Sequence, residues 1–253
     1  MKPVKIEFQR DPVWEVIEPI IPASKALPKW YKDAGLYLSG DKDYTTTQLT
    51  FKGCPAILDS MLQGYILPLW TDIYVEPTGG INEGHPLLGG RSVPKFSWGQ
   101  TNRAQVVESQ HPDASRSFEP FKEMSTCPVT FKFNSPWILK TPKDYSMLCI
   151  PPMNNRDSRF EAVAGIICSD EFTTYINIPF IWKAPSDYEG IIKQGTPLVQ
   201  MIPFKREEFK QEIGFTTDDG GKLLARQIAC ARKVGSVFGS GYRRFFQKTL
   251  VSR

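Results

Sequence analysis

The sequence predicts a mainly β fold with a sandwich or barrel core, a few short helices and a helical C-terminal arm. Residues 127–204 contain six strand-like runs of β-branched and aromatic residues, separated by Pro and Gly turns. Many short strands joined by such turns are typical of sandwiches and barrels. A helical period follows residue 221, where Leu224, Ile228 and Ala231 are spaced for one helix face.

The chain of 253 residues is long enough to form one large β domain. We predict that residues 1–221 form this domain and that residues 222–253 form a basic helical arm. Within the domain, residues 127–204 are the β core. Residues 77–118 are rich in Gly, Pro and polar residues, and they predict a long loop or insertion with one hairpin.

Before the core, the sequence predicts extended segments and short helices. Residues 4–8 and 13–17 are rich in β-branched residues and predict extended chain. Pro55 and Gly64 bracket a helix, because Pro suits the first helical position and Gly suits the residue after the end. Two strands, or one bent strand, are expected over residues 65–76.

The core strands are predicted from alternating side chains and from the turns that end them. In the longest one, Tyr175 and Asn177 alternate with Ile176 and Ile178, as in a strand that is buried on one face. The predicted core strands are residues 129–133, 135–141, 145–150, 160–167, 172–182 and 198–204.

Composition argues against several classes of protein and site. No apolar run approaches the roughly 20 residues of a membrane span, so no membrane partner is expected. The N-terminus has no apolar signal region, which predicts a cytoplasmic location. The five cysteines are far apart, and the histidines are only His85 and His111. We therefore expect no disulfide framework, no metal site and no cofactor.

Basic residues are concentrated at the C-terminal end. Residues 222–253 carry eight Lys or Arg and no Asp or Glu, and the whole chain has a net charge of +4, so residues 1–221 sum to −4. Such an arm predicts an acidic partner: nucleic acid, a neighbouring subunit or the body of the same chain. Arg243, Arg244, Phe245 and Phe246 are expected to bind that partner, with docking on protein favoured over nucleic acid.

Three motifs between residues 131 and 241 resemble, in the same order, motifs of the trimeric dUTPase family, which has a β-clip fold. They are Gly165-Ile-Ile-Cys168, Gly195-Thr-Pro-Leu-Val-Gln200 and Phe238-Gly-Ser-Gly241. In that family the first motif precedes a Tyr that packs below the nucleotide, and the last closes on the phosphates. The resemblance implies a β-clip core and nucleotide binding, with Asp170 as the candidate catalytic residue.

The sequence departs from that family at its catalytic positions. Cys168 stands where the family has the aspartate that orients the attacking water, and Asp170 lies two residues further on. Pro152-Met-Asn-Asn155 replaces the Ser-bearing phosphate motif. The main interpretation therefore contains no catalytic residue, and Asp170 is retained only in the alternative.

A second resemblance covers most of the chain, and it is to a family of bacterial and tailed-bacteriophage proteins of unknown function. It implies a bacterial or phage source, and a location in the host cytoplasm or the virion if the protein is phage-encoded. The similar segments include Cys54-Pro55, Gly64-Tyr-Ile-Leu-Pro68, Ser135-Pro-Trp137, Pro151-Pro-Met-Asn-Asn155 and Gly195-Thr-Pro-Leu-Val-Gln200.

The loop after residue 150 is the first candidate ligand site. Asn154, Asn155, Arg156 and Arg159 offer amide and guanidinium groups, which bind phosphate or carboxylate. Ser240 is a further candidate, because it lies in a glycine-rich stretch whose backbone N–H groups suit a phosphate. The alternatives are a solvated loop for the first segment and a flexible joint for the second.

Together these patterns predict a non-catalytic binding or assembly protein of a phage-related system, which engages its partner through rim loops and the basic arm. The expected partner is another copy of the chain, another phage protein, or nucleic acid bound by the arm. The alternative is a dUTPase-like nucleotide-binding protein or nucleotide hydrolase.

Overall fold

The computed structural model describes residues 3–14, 17–36, 50–77, 93–99, 105–110, 117–213 and 221–235. Within these residues the protein is mainly β, with three sheets and a few short helices, which confirms the predicted fold class. The strands are β1 (Glu7–Gln9), β2 (Ile21–Pro22), β3 (Tyr65–Pro68), β4 (Ile73–Glu76), β5 (Lys95–Trp98), β6 (Val107–Ser109), β7 (Phe131–Lys140), β8 (Tyr145–Ile150), β9 (Phe160–Ala162), β10 (Gly165–Ile167), β11 (Tyr175–Trp182), β12 (Gly190–Ile192) and β13 (Pro197–Lys205).

Short helices accompany the strands in the described ranges. Pro55 occupies the first turn of the second helix, which confirms the predicted helix. The last helix confirms a helical start to the arm, and residues 236–253 lie outside the described residues. None of the described helices is long and apolar enough to cross a membrane. The α-helices are α1 (Lys29–Asp33), α2 (Pro55–Leu62), α3 (Glu119–Met124) and α4 (Lys222–Gly235).

The chain groups into two compact units. One contains residues 1–22 and 64–206, and with them all thirteen described strands. The other contains residues 23–63 and 207–253, and with them α1, α2 and α4. The division predicted at residue 221 stays a prediction, although the arm and the β core do fall in different units.

The first sheet is built around β7. It has the order β1-β7-β11-β9, and β6 also pairs with β7. The sequence predicts two strands over residues 129–141, but one strand runs through Pro136. The missing N–H of Pro136 is tolerated because the register of β11 shifts opposite it, between Tyr175 and Asn177.

The second sheet has the order β10-β8-β13-β3-β2, and the third has the order β12-β4-β5. The sequence predicts a single strand over residues 160–167, and this prediction is wrong. The chain leaves the first sheet after β9 and enters the second at β10, so Val163 and Ala164 link two sheets. This crossing forms one wall of the cleft described below.

One other local prediction also fails. Residues 12–14 form a 3-10 turn instead of extended chain, because the Asp11 carboxylate accepts a hydrogen bond of 2.9 Å from Val13 N–H and Pro12 favours the turn. β5 and β6, the described strands within residues 77–118, pair with β4 and β7 in different sheets, and the hairpin predicted for this range stays a prediction. Residues 78–92, 100–104 and 111–116 of the predicted loop lie outside the described residues.

An aromatic cluster fills the core between these strands. Phe133 and Phe180 stack with ring centroids 3.9 Å apart, and Phe131 stacks on Phe180 at 5.6 Å. Phe96 and Phe160 contact this stack edge-on. These rings come from β5, β7, β9 and β11, so the cluster ties four strands together and holds the strands beside the cleft in place.

Candidate functional site

A cleft of ≈ 800 Å³ lies where the chain crosses from the first sheet to the second. Its walls are mostly apolar, and its polar groups come from the loop after β8 and from β9. Apolar walls with a few convergent polar groups are the usual form of a small-molecule site. The cleft is lined by Phe118, Met124, Ile150, Pro151, Met153, Asn154, Arg156, Glu161, Ala162, Val163, Ala164 and Ile181.

The loop over residues 151–159, here called the rim loop, is held in a defined conformation. Met153 N–H donates a hydrogen bond of 2.9 Å to the side-chain oxygen of Gln200, which is only 1% exposed. Asn155 N–H donates to the carbonyl of Pro152 at 3.1 Å, which closes a turn. Asn154 has a φ of 58°, a left-handed conformation that Asn adopts more readily than most residues.

Three charged side chains meet beside the cleft. Arg156 Nη1 lies 3.5 Å from Glu161 Oε1, and Lys183 Nζ lies 3.0 Å from Glu161 Oε2. The side chain of Arg156 is 65% exposed, whereas that of Glu161 is 14% exposed. Glu161 is therefore held by Lys183 at the shorter distance, and Arg156 extends toward solvent at the mouth.

Arg159 is part of a clamp between the rim loop and β12. Its Nε and Nη2 donate to the two carboxylate oxygens of Asp157 at 2.9 and 2.6 Å, and its Nη1 donates to the carbonyl of Ile191 at 2.9 Å. The hydrogen bonds to Asp157 raise the pKa of Arg159. These contacts engage the guanidinium in holding the loop, and the ligand contact that the sequence predicts for Arg159 stays a prediction.

Asp170 forms a bidentate ion pair. Arg206 Nη1 and Nη2 lie 2.8 and 2.5 Å from its two carboxylate oxygens, and Asp144 N–H donates to it at 2.9 Å. The hydrogen bonds from Arg206 lower the pKa of Asp170 from 3.8 to about 2. Its side chain is 4% exposed, and it does not line the cleft. Asp170 therefore lies apart from the cleft in an ion pair with Arg206, and its catalytic role in the alternative interpretation stays a prediction.

The thiols of Cys54, Cys127, Cys149 and Cys168 are free, and those of Cys127 and Cys149 are buried. Burial raises the pKa of the Cys149 thiol to about 12, and it also raises the pKa of Cys127. Cys168 is exposed, two residues before Asp170. Among the residues that the structure describes, no group of three or more His, Cys, Asp or Glu side chains could hold a metal ion.

The structure brings two of the predicted ligand-binding residues, Asn154 and Arg156, into one cleft, and Asn155 lies in the adjoining turn. Sequence reasoning missed Glu161, Lys183 and Gln200. A lone polar residue inside an apolar strand was the available signal for Gln200. Other predicted residues lie outside the described part of the chain, namely Ser240, Arg243, Arg244, Phe245 and Phe246.

The chain has a weak structural similarity to a known enzyme. No family model matches the chain, and no curated protein matches it at a significant level. The crystal structure of 2'-deoxycytidine 5'-triphosphate deaminase from Agrobacterium tumefaciens is similar at a TM-score of 0.31, with 11% sequence identity. The match covers 83% of this chain but 52% of that one, so this chain spans about half the length of the deaminase. At this level the similarity assigns no residue and no activity, and the resemblance to a bacterial and phage family stays a prediction.

Proposed function

We propose that this chain is a non-catalytic binding or assembly protein of a phage-related system, and that it engages its ligand in the cleft beside Asn154 and Arg156. The proposal depends on one observation: an apolar cavity of ≈ 800 Å³ has an amide and a guanidinium at its edge. Its expected ligand has an apolar body and an anionic end. The ligand can be a small molecule or a group on a partner.

Arg156 is the residue that would take the anionic end. Its contact with Glu161 is the longer of the two ion pairs there, at 3.5 Å, and its side chain is the most exposed of the three charged groups. An exposed ion pair at this distance contributes little energy, so an incoming carboxylate, sulfonate or phosphate competes for the guanidinium at low cost.

Lys183 lowers the free energy needed to move Arg156 from Glu161 to a ligand. If Arg156 turns to a ligand, Glu161 keeps the hydrogen bond of 3.0 Å from Lys183 Nζ. The half-buried carboxylate is then not left without a positive partner, which would otherwise oppose binding. Asn154 lies on the same rim and adds an amide that can donate to the anion.

In the proposed assembly role, the rim loop contacts a partner while the basic arm adds a second, electrostatic contact. The arm's net charge of +8 favours an acidic protein surface or nucleic acid. The proposed setting is the host cytoplasm, or the virion for a phage-encoded protein.

The test uses a fluorescent probe with the expected chemistry. 8-Anilinonaphthalene-1-sulfonate combines aromatic rings with a sulfonate, and N-phenyl-1-naphthylamine is its uncharged relative. Arg156→Ala is expected to weaken binding of the sulfonate roughly tenfold, because a charge-assisted hydrogen bond is lost, and to leave the uncharged probe unaffected. Lys193→Ala is the matched control, since its side chain is 67% exposed and lies outside the cleft.

A second pair of variants separates the cleft from other apolar surfaces. Ala164→Trp adds a large side chain at an exposed position that lines the cleft, and it is expected to reduce binding of both probes. Phe172→Ala removes an apolar side chain that is 64% exposed elsewhere, and it is expected to change neither. Probe binding that survives Ala164→Trp, or that falls equally in Arg156→Ala and Lys193→Ala, would contradict the proposal.

The second candidate function is a dUTPase-like nucleotide-binding protein. The same geometry favours it, because a base suits apolar walls and a phosphate suits Arg156 and Asn154. Asp170 does not line the cleft and its carboxylate is paired with Arg206, so the geometry favours binding over hydrolysis by this residue. Thermal stabilisation by millimolar dUTP or dCTP, absent with inorganic phosphate and reduced in Arg156→Ala, would select this function.

A further inference from the structure

The wall of the cleft carries one positive and one negative side chain. Among the described residues that line it, the charged ones are Arg156 and Glu161, and Lys183 does not line it. Lys183 therefore contacts Glu161 from outside the cleft. A ligand inside the cleft meets a guanidinium and a carboxylate side by side, and this pair of opposite charges narrows the chemistry that fits.

The two cations around Glu161 use different oxygens of its carboxylate. Lys183 Nζ lies 3.0 Å from Oε2, and Arg156 Nη1 lies 3.5 Å from Oε1. If Arg156 turns to the anionic end of a ligand, Oε1 loses its positive partner while Oε2 keeps its own. Because both oxygens of a carboxylate accept hydrogen bonds, Oε1 is then open to a cationic donor on the same ligand.

We propose that the ligand is a zwitterion, namely an α-amino acid with an aromatic side chain. The inference rests on the proposed function, since it takes the anion site at Arg156 as given. The carboxylate of the ligand would pair with Arg156, and its ammonium with Oε1 of Glu161. The exchange replaces one ion pair of the cleft wall by two ion pairs with the ligand, so neither Arg156 nor Glu161 loses a partner of opposite charge.

The distance between the two wall charges requires that the charges of the ligand be close together. Arg156 Nη1 and Glu161 Oε1 are 3.5 Å apart. In an α-amino acid one carbon atom bears both the ammonium and the carboxylate, so both groups reach this part of the wall together. The two charged ends of a peptide are separated by its backbone and do not.

The apolar part of the cleft indicates the side chain of the ligand. Phe118, Met124 and Met153 line it together with aliphatic residues. Methionine sulfur and aromatic rings make favourable contacts with another aromatic ring. A cleft of ≈ 800 Å³ also has room for an indole, the largest aromatic side chain. L-Tryptophan is therefore the probe chosen for the test.

The test compares ligands that differ by one charge, by isothermal titration calorimetry of the full chain. 3-Indolepropionate lacks the ammonium of L-tryptophan, and tryptamine lacks the carboxylate. N-Acetyl-L-tryptophan has an uncharged amide in place of the ammonium. L-Tryptophan is expected to bind roughly tenfold more tightly than each of the other three, because each of them loses one charge-assisted contact.

Glu161→Gln removes the charge of the carboxylate and keeps the shape of the side chain. It is expected to weaken binding of L-tryptophan roughly tenfold and to leave binding of 3-indolepropionate within about twofold of the wild type, so the preference for the zwitterion disappears. Glu171→Gln is the matched control, because Glu171 is exposed and lies outside the cleft, and this variant is expected to keep the preference. Unchanged circular dichroism shows that each variant folds.

Three results would overturn the inference. One is equal affinity of the wild type for L-tryptophan and 3-indolepropionate, which decides the matter without any variant. Another is a preference for L-tryptophan that persists in Glu161→Gln. The third is N-acetyl-L-tryptophan binding as tightly as L-tryptophan, which would indicate the carboxyl end of a peptide as the ligand.

Failure of this inference is distinguishable from failure of the proposed function. If none of the four ligands binds while the sulfonate probe still depends on Arg156, the inference alone is overturned. If the sulfonate probe does not depend on Arg156 either, the proposed function is contradicted as well. Displacement of the sulfonate probe by L-tryptophan, with the expected order of affinities, would support both.

Discussion

The side-chain oxygen of Gln200 accepts a hydrogen bond of 2.9 Å from the backbone N–H of Met153. Gln200 is buried in β13, and Met153 lines the cleft from the rim loop. One buried amide thus fixes the loop that carries Asn154 and Arg156. The loop depends on such a contact because the left-handed backbone of Asn154 is itself unfavourable by an amount that surrounding interactions must offset.

Gln200→Leu is expected to lower the free energy of unfolding by about 1–3 kcal/mol, because the N–H of Met153 loses its acceptor. It is also expected to weaken binding of the sulfonate probe, since the rim loop is no longer held. Urea unfolding and probe titration measure the two effects. Gln194→Leu, at an exposed position, is the control and is expected to stay within about 0.5 kcal/mol of the wild type. Unchanged stability and binding in Gln200→Leu would show that the loop holds itself.

Asp170→Asn is expected to change how stability depends on pH. The pKa of Asp170 is lowered from 3.8 to about 2 by Arg206, so folding favours its ionised form. This stabilisation is present above the unfolded-state pKa of 3.8 and is lost as the pH falls toward 2. The melting temperature of the wild type should therefore exceed that of Asp170→Asn at pH 6, and the difference should shrink steadily between pH 4 and pH 2.

The control for that experiment is Asp33→Asn. Asp33 is an exposed carboxylate that pairs with Lys29 one turn earlier in α1. It is expected to differ little from the wild type throughout the same range, because exposed ion pairs contribute little. A difference between wild type and Asp170→Asn that stays constant down to pH 2 would contradict the assigned ion pair.

Phe180→Ala is expected to lower the free energy of unfolding by about 3–5 kcal/mol, through lost burial and the cavity that remains. Phe180 has no exposed surface, and its ring stacks 3.9 Å from that of Phe133. Denaturant unfolding measures the loss. Phe172→Ala is the comparison, because that ring is 64% exposed and its removal is expected to change stability by less than about 0.5 kcal/mol. Equal losses in both variants would contradict the described core.

The sequence pattern predicted features that depend on local chemistry. Pro55 marked the start of α2, and the alternation of Ile176 and Ile178 with polar residues marked β11 as half-buried. The sequence pattern failed where strands distant in sequence decide which sheet a segment joins. The division of residues 160–167 between two sheets depends on β11 and β8, which are distant in sequence from one another. Nothing local to Val163 and Ala164 indicates that change of sheet.

The candidate site shows the same limit. Asn154 and Arg156 were predicted because amide and guanidinium groups in one loop are visible in sequence. The contacts of Arg159 with Ile191 and of Asp170 with Arg206 were not, because these partners lie about thirty or more residues away and meet only in the fold. Side-chain type indicates which chemistry a residue can perform, whereas its partners decide whether the residue is available for it.

Arg159→Lys is expected to loosen the rim loop while keeping its charge. Lysine cannot donate at once to both oxygens of Asp157 and to the carbonyl of Ile191, as the guanidinium does. Hydrogen exchange should therefore quicken at the backbone amides of residues 153–159, and the sulfonate probe should bind more weakly. Arg156→Lys is the matched control: its side chain is exposed, so the exchange should stay as in the wild type. If Arg159→Lys left the exchange unchanged, the clamp would not be what holds the loop, and Gln200 would be left as its principal anchor.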